Sequence, residues 1–118
     1  METIKKNEPK SEIFHSQKGL VSIIIPVYNG EFRLEALIES LVNQTYKKIE
    51  IITIDNNSTD NSRDVLEELS KEKTPLRIFS NKQNEGYCGG CNRGIENAEG
   101  EFLLFLSQDR IMNYDWIE

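Results

Sequence analysis

From Leu20 to Ile25 the chain is short, apolar and rich in β-branched residues, and a second run of the same kind spans Ile49 to Ile54. Apolar runs of this length belong to strands buried on both faces, as in a parallel sheet. Between them Leu34, Leu37, Ile38, Leu41 and Val42 recur three and four residues apart, which marks one face of a helix that Asn43 and Gln44 end. Pro26 is expected to stop the first strand, and Tyr28-Asn29-Gly30 to turn the chain. The unit then repeats. Val65, Leu66 and Leu69 mark a second helix, Leu76 to Phe79 a third strand, residues 88–98 a short third helix, and Phe102 to Leu106 a fourth strand. This alternation predicts an α/β fold, a three-layer αβα sandwich on a mostly parallel sheet with right-handed crossovers. Polar residues that follow the strands then collect at one sheet edge, where such folds bind ligands. Here they are Tyr28 and Asn29, Asp55 and Asn56, residues 81–90, and residues 107–109.

Length and charge narrow the function. A chain of 118 residues supplies one modest domain. Its formal net charge of −6, without a basic cluster, disfavours nucleic acid, whose phosphates are held by Lys and Arg. A phosphorylated small molecule would need backbone N–H groups or a metal ion to supply positive charge. Two Cys and one His do not build a zinc site without carboxylates. The longest apolar run, Val21 to Val27, is broken by Ser22 and Pro26 and is too short to span a membrane. Met1 to Lys10 has no apolar core of a secretory signal, so reduced cysteines and a cytoplasmic location are expected. Residues 1–18 read as a flexible arm, with Ile13 and Phe14 as its docking point and His15 solvated. Glu67, Glu68, Lys71, Glu72 and Lys73 read as an exposed helix face, and Trp116 as packing on a last turn that Asn113 caps.

Three groups carry candidate chemistry. Asp55, at the end of the second strand, suits a base N–H or a ribose hydroxyl; the competing role is a turn cap, for which Ser58, Thr59 and Asp60 already offer oxygens. Asp109, after the fourth strand, suits Mg²⁺ or Mn²⁺, which need only one or two carboxylates when phosphates complete the shell; the competing role is an ion pair with Arg110. The loop Asn84-Glu85-Gly86-Tyr87-Cys88-Gly89-Gly90-Cys91-Asn92-Arg93-Gly94 lets backbone approach a phosphate, yet does not fit G-x-G-x-x-G. Its C-x-x-C also admits thiol redox chemistry, a role for which the acidic strand ends have no use. Small residues packing a tight loop is the preferred reading of the two sulfurs.

Five stretches taken together resemble family 2 glycosyltransferases. Val21 to Gly30 (VSIIIPVYNG) resembles their opening strand, and Ser40 to Tyr46 (SLVNQTY) the end of their first helix. Asp55-Asn56-Asn57-Ser58-Thr59-Asp60 is similar to their second-strand motif. Asn84-Glu85-Gly86 with Asn92-Arg93-Gly94 is similar to the glycine loop of rhamnosyltransferase-like members, and Gly100 to Leu106 leads into the place of their D-x-D motif. The likeness covers residues 20–118, with the motifs in order.

The resemblance implies a GT-A, Rossmann-like nucleotide-diphospho-sugar transferase fold, here truncated, with residues 19–118 as its nucleotide-sugar-binding half. It places Pro26, Val27, Tyr28 and Asn29 at the base, and Asp55 at the base or ribose. Gly86 and the loop after it would lie beside the diphosphate, a Ser107 hydroxyl would reach the ribose, Asn56, Asn84 and Gln108 would belong to the same nucleotide site, and Asp109 would hold Mg²⁺ or Mn²⁺. The function it implies is inverting hexosyl or rhamnosyl transfer, as in polysaccharide biosynthesis, from a nucleotide diphosphate sugar to a saccharide or lipid-linked acceptor. The alternative is a truncated, non-catalytic module that binds a nucleotide or a partner. A lipid-linked acceptor would put the chain at the inner face of the membrane as a peripheral protein, and a truncated face would favour a dimer. Two departures stand out: Ser107 replaces the first Asp of D-x-D, and Cys91 stands where many members carry Arg. The acceptor half and its catalytic base have no counterpart, so no residue here takes that role.

Overall fold

The computed structural model describes residues 2–5 as backbone, and 17–72, 75–109 and 117 with their side chains. Ile13, Phe14, His15, Lys73, Arg110, Asn113 and Trp116 lie outside the described residues. The elements in order are β1 (Glu2–Lys5), β2 (Gln17–Val27), α1 (Leu34–Val42), β3 (Ile49–Asp55), α2 (Ser62–Lys71), β4 (Leu76–Ser80), α3 (Gly86–Asn97) and β5 (Gly100–Phe105). They form a five-stranded sheet of order β1-β5-β2-β3-β4, in which β2, β3, β4 and β5 are parallel and β1 is antiparallel to β5.

The helices cover both faces. Ile23, Ile25 and Ile51 face Leu34, Leu37, Ile38 and Leu41 of α1 and Leu66 and Leu69 of α2. On the other face Ile24, Ile52, Ile54, Leu103 and Phe105 meet Cys91 and Ala98, at and just past α3. Successive strand residues point to opposite faces, so a sheet packed on both sides requires the unbroken apolar runs seen in the sequence.

Three sequence expectations are corrected. Pro26 does not stop β2; it pairs with Ile54 inside the ladder. The Ile24 carbonyl accepts from Leu106 N–H at 3.0 Å and the Val27 carbonyl from Asn56 N–H at 2.8 Å. Backbone groups alternate in direction, so the Pro26 nitrogen faces the β5 side beyond Ile24↔Phe105, where the ladder has ended. No hydrogen bond is lost there. Residues 2–5, expected in the arm, pair with β5, and residues 17–18 open β2. Without β1, the N–H and C=O groups on that edge of β5 would lack a partner strand. The third helix starts at Gly86, two residues earlier than the spacing suggests, because Gly86 enters it with φ +76°, a conformation few side chains allow.

At the amino ends of the strands, Glu50 organises a buried polar cluster. It accepts hydrogen bonds from Ser22 Oγ at 2.5 Å, Glu99 N–H at 2.7 Å and Arg77 Nη1 at 3.0 Å. The Ser22 hydroxyl in turn accepts from Gly100 N–H. In Glu50→Gln one carboxylate oxygen becomes an NH₂ that must face another donor. We expect a loss of about 1–3 kcal/mol in urea unfolding, the cost of an unsatisfied buried group beside a solvent-screened arginine. An unchanged urea midpoint would contradict this account of the cluster.

Candidate functional site at the carboxyl edge of the sheet

The chain leaves β2 toward β3 on one side and returns through α3 to β5 on the other. The order therefore reverses between β2 and β5, and the crevice outside their carboxyl ends is where open α/β sheets bind ligands. A cleft of ≈ 250 Å³ lies there, and Pro26, Val27, Tyr28, Asn56, Asn84, Gly86, Tyr87, Ser107, Gln108 and Asp109 line it. Residues from four separate strand ends thus converge on one concavity. A larger groove between α1 and α2 has Glu35, Glu39, Asp64, Glu68 and Glu72 around it. Those carboxylates repel a phosphate, so electrostatics favours the smaller cleft.

Asn56 closes the β3 side. It is 3 % exposed, and its Nδ2 donates to the Gly86 carbonyl at 3.0 Å. Its Oδ1 accepts from Asn81 Nδ2 at 2.7 Å and from Glu85 N–H at 3.4 Å. Asn81 Oδ1 is held in turn by Arg93 Nη1 at 2.8 Å. Asn56 therefore fixes the entry to α3, and Gly86 and Tyr87 with it.

The β2 and β5 sides are joined across the cleft. Gln108 Oε1 accepts from Tyr28 N–H at 2.9 Å, and its Nε2 donates to the Tyr28 carbonyl at 2.8 Å. Ser107 Oγ accepts from Asp109 N–H at 3.4 Å. Among the described residues Asp109 pairs with Arg33, whose Nε stands 3.6 Å from Asp109 Oδ1; the Arg110 considered from sequence lies outside the described residues.

Asp55 and Asn29 do not line the cleft. Asp55 is 0 % exposed at the end of β3. Its Oδ2 accepts from Ser58 N–H at 3.2 Å and Arg63 Nε at 2.6 Å, while its Oδ1 accepts from the Ser58 hydroxyl. Asn29, at φ +49°, uses its Oδ1 to take the Thr59 N–H at 2.8 Å. Both residues brace the turn that leads to α2. Asp60 belongs to the same brace: burial pushes its carboxyl up, but hydrogen bonds from the Ser62 hydroxyl and N–H and the Glu31 N–H outweigh this and hold it below its ordinary value.

Tyr87, half exposed beside Gly86, falls in the loop expected at this edge but has no role of its own in the sequence reading, and Arg33 is not among the expected residues. An aromatic directly after the loop glycine was the available signal for Tyr87; Arg33 gave none, because its partner is far away in sequence. The C-x-x-C divides, with Cys88 exposed and Cys91 buried in the core. Packing thus accounts for one sulfur only. Among the described residues no group of three His, Cys, Asp or Glu side chains is disposed to hold a metal ion. A lone carboxylate in the cleft fits such an ion where substrate phosphates supply further ligands. No helix among the described residues is long and apolar enough to cross a membrane.

Residues 22–118 match the sequence profile described as Glycosyl transferase family 2. An uncharacterised glycosyltransferase of Haemophilus influenzae is 39% identical over 99 residues, which is 84% of this chain and 31% of that protein. The GalNAc(5)-diNAcBac-PP-undecaprenol beta-1,3-glucosyltransferase of Campylobacter jejuni is 38% identical over 90 residues, 75% of this chain and 29% of that protein. Residues 1–349 of S. aureus TarS in complex with UDP share 31% identity at a TM-score of 0.75, over 82% of this chain and 29% of that one. The mannosyltransferase PcManGT from Pyrobaculum calidifontis, solved with GDP-Man and Mn²⁺, has a TM-score of 0.74 over 77% of this chain and 28% of that one; at 22% identity it bears on the fold alone.

Proposed function

We propose that this chain, which belongs to glycosyl transferase family 2, binds the nucleotide diphosphate sugar that such an enzyme uses as donor. Its fold is that of the GT-A glycosyltransferases. It spans 31% and 29% of the length of the two relatives named above, so the activity of a whole enzyme is part of the proposal. The observation that carries the proposal is the convergence of Pro26 to Tyr28, Asn56, Asn84, Gly86 and residues 107–109 on one cleft at the strand-order reversal. The TarS structures with UDP and with UDP-GlcNAc support a uridine diphosphate sugar as the first donor to test.

In this reading Pro26, Val27 and Tyr28 form the base side of the cleft. Gly86 offers backbone beside the diphosphate, and Ser107 offers a hydroxyl toward the ribose. Asp55 and Asn29 act from behind, by shaping the turn. Asp109 is the group for Mg²⁺ or Mn²⁺, which when bound neutralises charge on the departing diphosphate. Transfer is to a saccharide or lipid-linked acceptor with inversion, and a lipid-linked acceptor would bring the enzyme to the membrane face. The second reading, a module that binds nucleotide without transfer, is favoured by Ser107, which leaves the cleft with one carboxylate among the described residues.

Calorimetry with UDP and dTDP, with and without Mn²⁺, tests the proposal. We expect Mn²⁺ to tighten UDP binding, and Asp109→Ala to abolish that tightening, a loss of about tenfold in the presence of Mn²⁺. Equal Mn²⁺ dependence in the two proteins would refute the role of Asp109. Hydrolysis or transfer of donor sugar by the chain would refute the non-catalytic reading.

A further inference from the structure

The segment 28–33 and residues 107–109 meet at two points, and the two differ in kind. The Gln108 amide is closed on the Tyr28 backbone, and Gly30 makes room for it, since a Cβ there would lie 2.7 Å from Gln108 Oε1. The Arg33–Asp109 pair is open: the separation is 3.6 Å and each side chain is 65% exposed. A pair so solvated is weak and exchanges readily. Gln108 thus keeps Arg33 within reach of the cleft, and among the described residues no second partner fixes its guanidinium.

Asp109 is also the only carboxylate that lines the cleft among the described residues. A divalent ion approaching it in the free protein meets a guanidinium already alongside and few further ligands. Like charges at this distance oppose each other even in water. A diphosphate changes both terms. Its anionic oxygens offer the guanidinium fork a better partner than one solvated carboxylate, and they supply the oxygens that the cation lacks.

We propose that Arg33 makes cation binding at Asp109 conditional on a nucleoside diphosphate. In the free protein Arg33 neutralises the carboxylate. The diphosphate draws the guanidinium away and releases Asp109 to the metal ion. The inference rests on the donor reading above, and linkage requires that the metal ion favour the diphosphate by the same factor.

Mn²⁺ binding followed by electron paramagnetic resonance, with and without UDP, tests it on the chain and its Arg33→Ala and Arg33→Lys variants. Without UDP, Arg33→Ala is expected to bind Mn²⁺ about three- to tenfold tighter than the parent. The factor by which UDP tightens Mn²⁺ should shrink correspondingly, and Arg33→Lys, which keeps the charge, should lie close to the parent. Equal Mn²⁺ affinity of Arg33→Ala and the parent without UDP overturns the inference. UDP that binds no form of the chain by calorimetry overturns the donor reading instead, and the Mn²⁺ comparison in its absence keeps the two failures apart.

Discussion

Asn56→Asp is expected to weaken UDP binding about a hundredfold and to cost about 2–4 kcal/mol of stability, because it places an unpaired acceptor where a buried donor is required. Asn56 is 3 % exposed, and its NH₂ faces the Gly86 carbonyl at 3.0 Å. An aspartate oxygen at that position confronts another oxygen, whereas the bonds that Oδ1 accepts from Asn81 and Glu85 survive. The loss therefore falls on one contact, the one that seats the start of α3. Gly86 and Tyr87 form that wall of the cleft, and a misplacement of an ångström at such a wall costs orders of magnitude. Urea unfolding and UDP calorimetry on the same protein separate the possibilities. If Asn56 reads the nucleotide directly and positions nothing, affinity falls while the urea midpoint stays; that result would refute the positioning role.

How far the sequence reveals this site depends on what kind of information each residue carries. Strand runs and helix periodicity follow from burial on one or both faces, so β2, β3, α1 and α2 were readable from Leu20 to Leu69. The edge that gathers Tyr28, Asn56, Gly86 and Asp109 followed from topology alone, since polar residues after parallel strands share one end. The side-chain assignments were less accessible. Asp55 and Asp109 look alike in sequence, each a carboxylate after an apolar strand. Asp55 is enclosed because Arg63 and Ser58, only a few residues further on, fold back over it, while Asp109 stays open beside Arg33. That difference is a matter of which partner reaches which oxygen, and no periodicity records it. The same holds for β1. Its pairing with β5 joins residues about a hundred positions apart, and a short polar stretch carries no burial pattern of its own to announce the match.

Gly94→Ala isolates a different dependence, the closeness of α3 to the sheet. Alanine is the better helix former by about 1 kcal/mol, so an exposed position would gain from the change. At Gly94 a Cβ would fall inside contact distance of Ile24 Cγ2 and 3.1 Å from Ile54 Cδ1. Ile24 and Ile54 are fully buried on adjacent central strands, and neither has room to withdraw. Overpacking of this kind costs about 1–3 kcal/mol beyond what propensity returns, and we expect a net loss of about 2 kcal/mol in urea unfolding. The helix relieves the clash by rising from the sheet, which carries its first turn, and so the Gly86–Tyr87 wall, outward; UDP affinity should fall about tenfold with it. Gly86→Ala is the control. No atom of the described residues lies within 4 Å of its would-be Cβ, yet its φ of +76° is strained for any other residue, so it should cost about 1 kcal/mol through the backbone alone. A Gly94→Ala protein as stable as the parent, with Gly86→Ala weakened, would mean that α3 is held by its entry and not by its contact with β2 and β3. The reverse order of effects is what a helix seated on two immovable isoleucines requires.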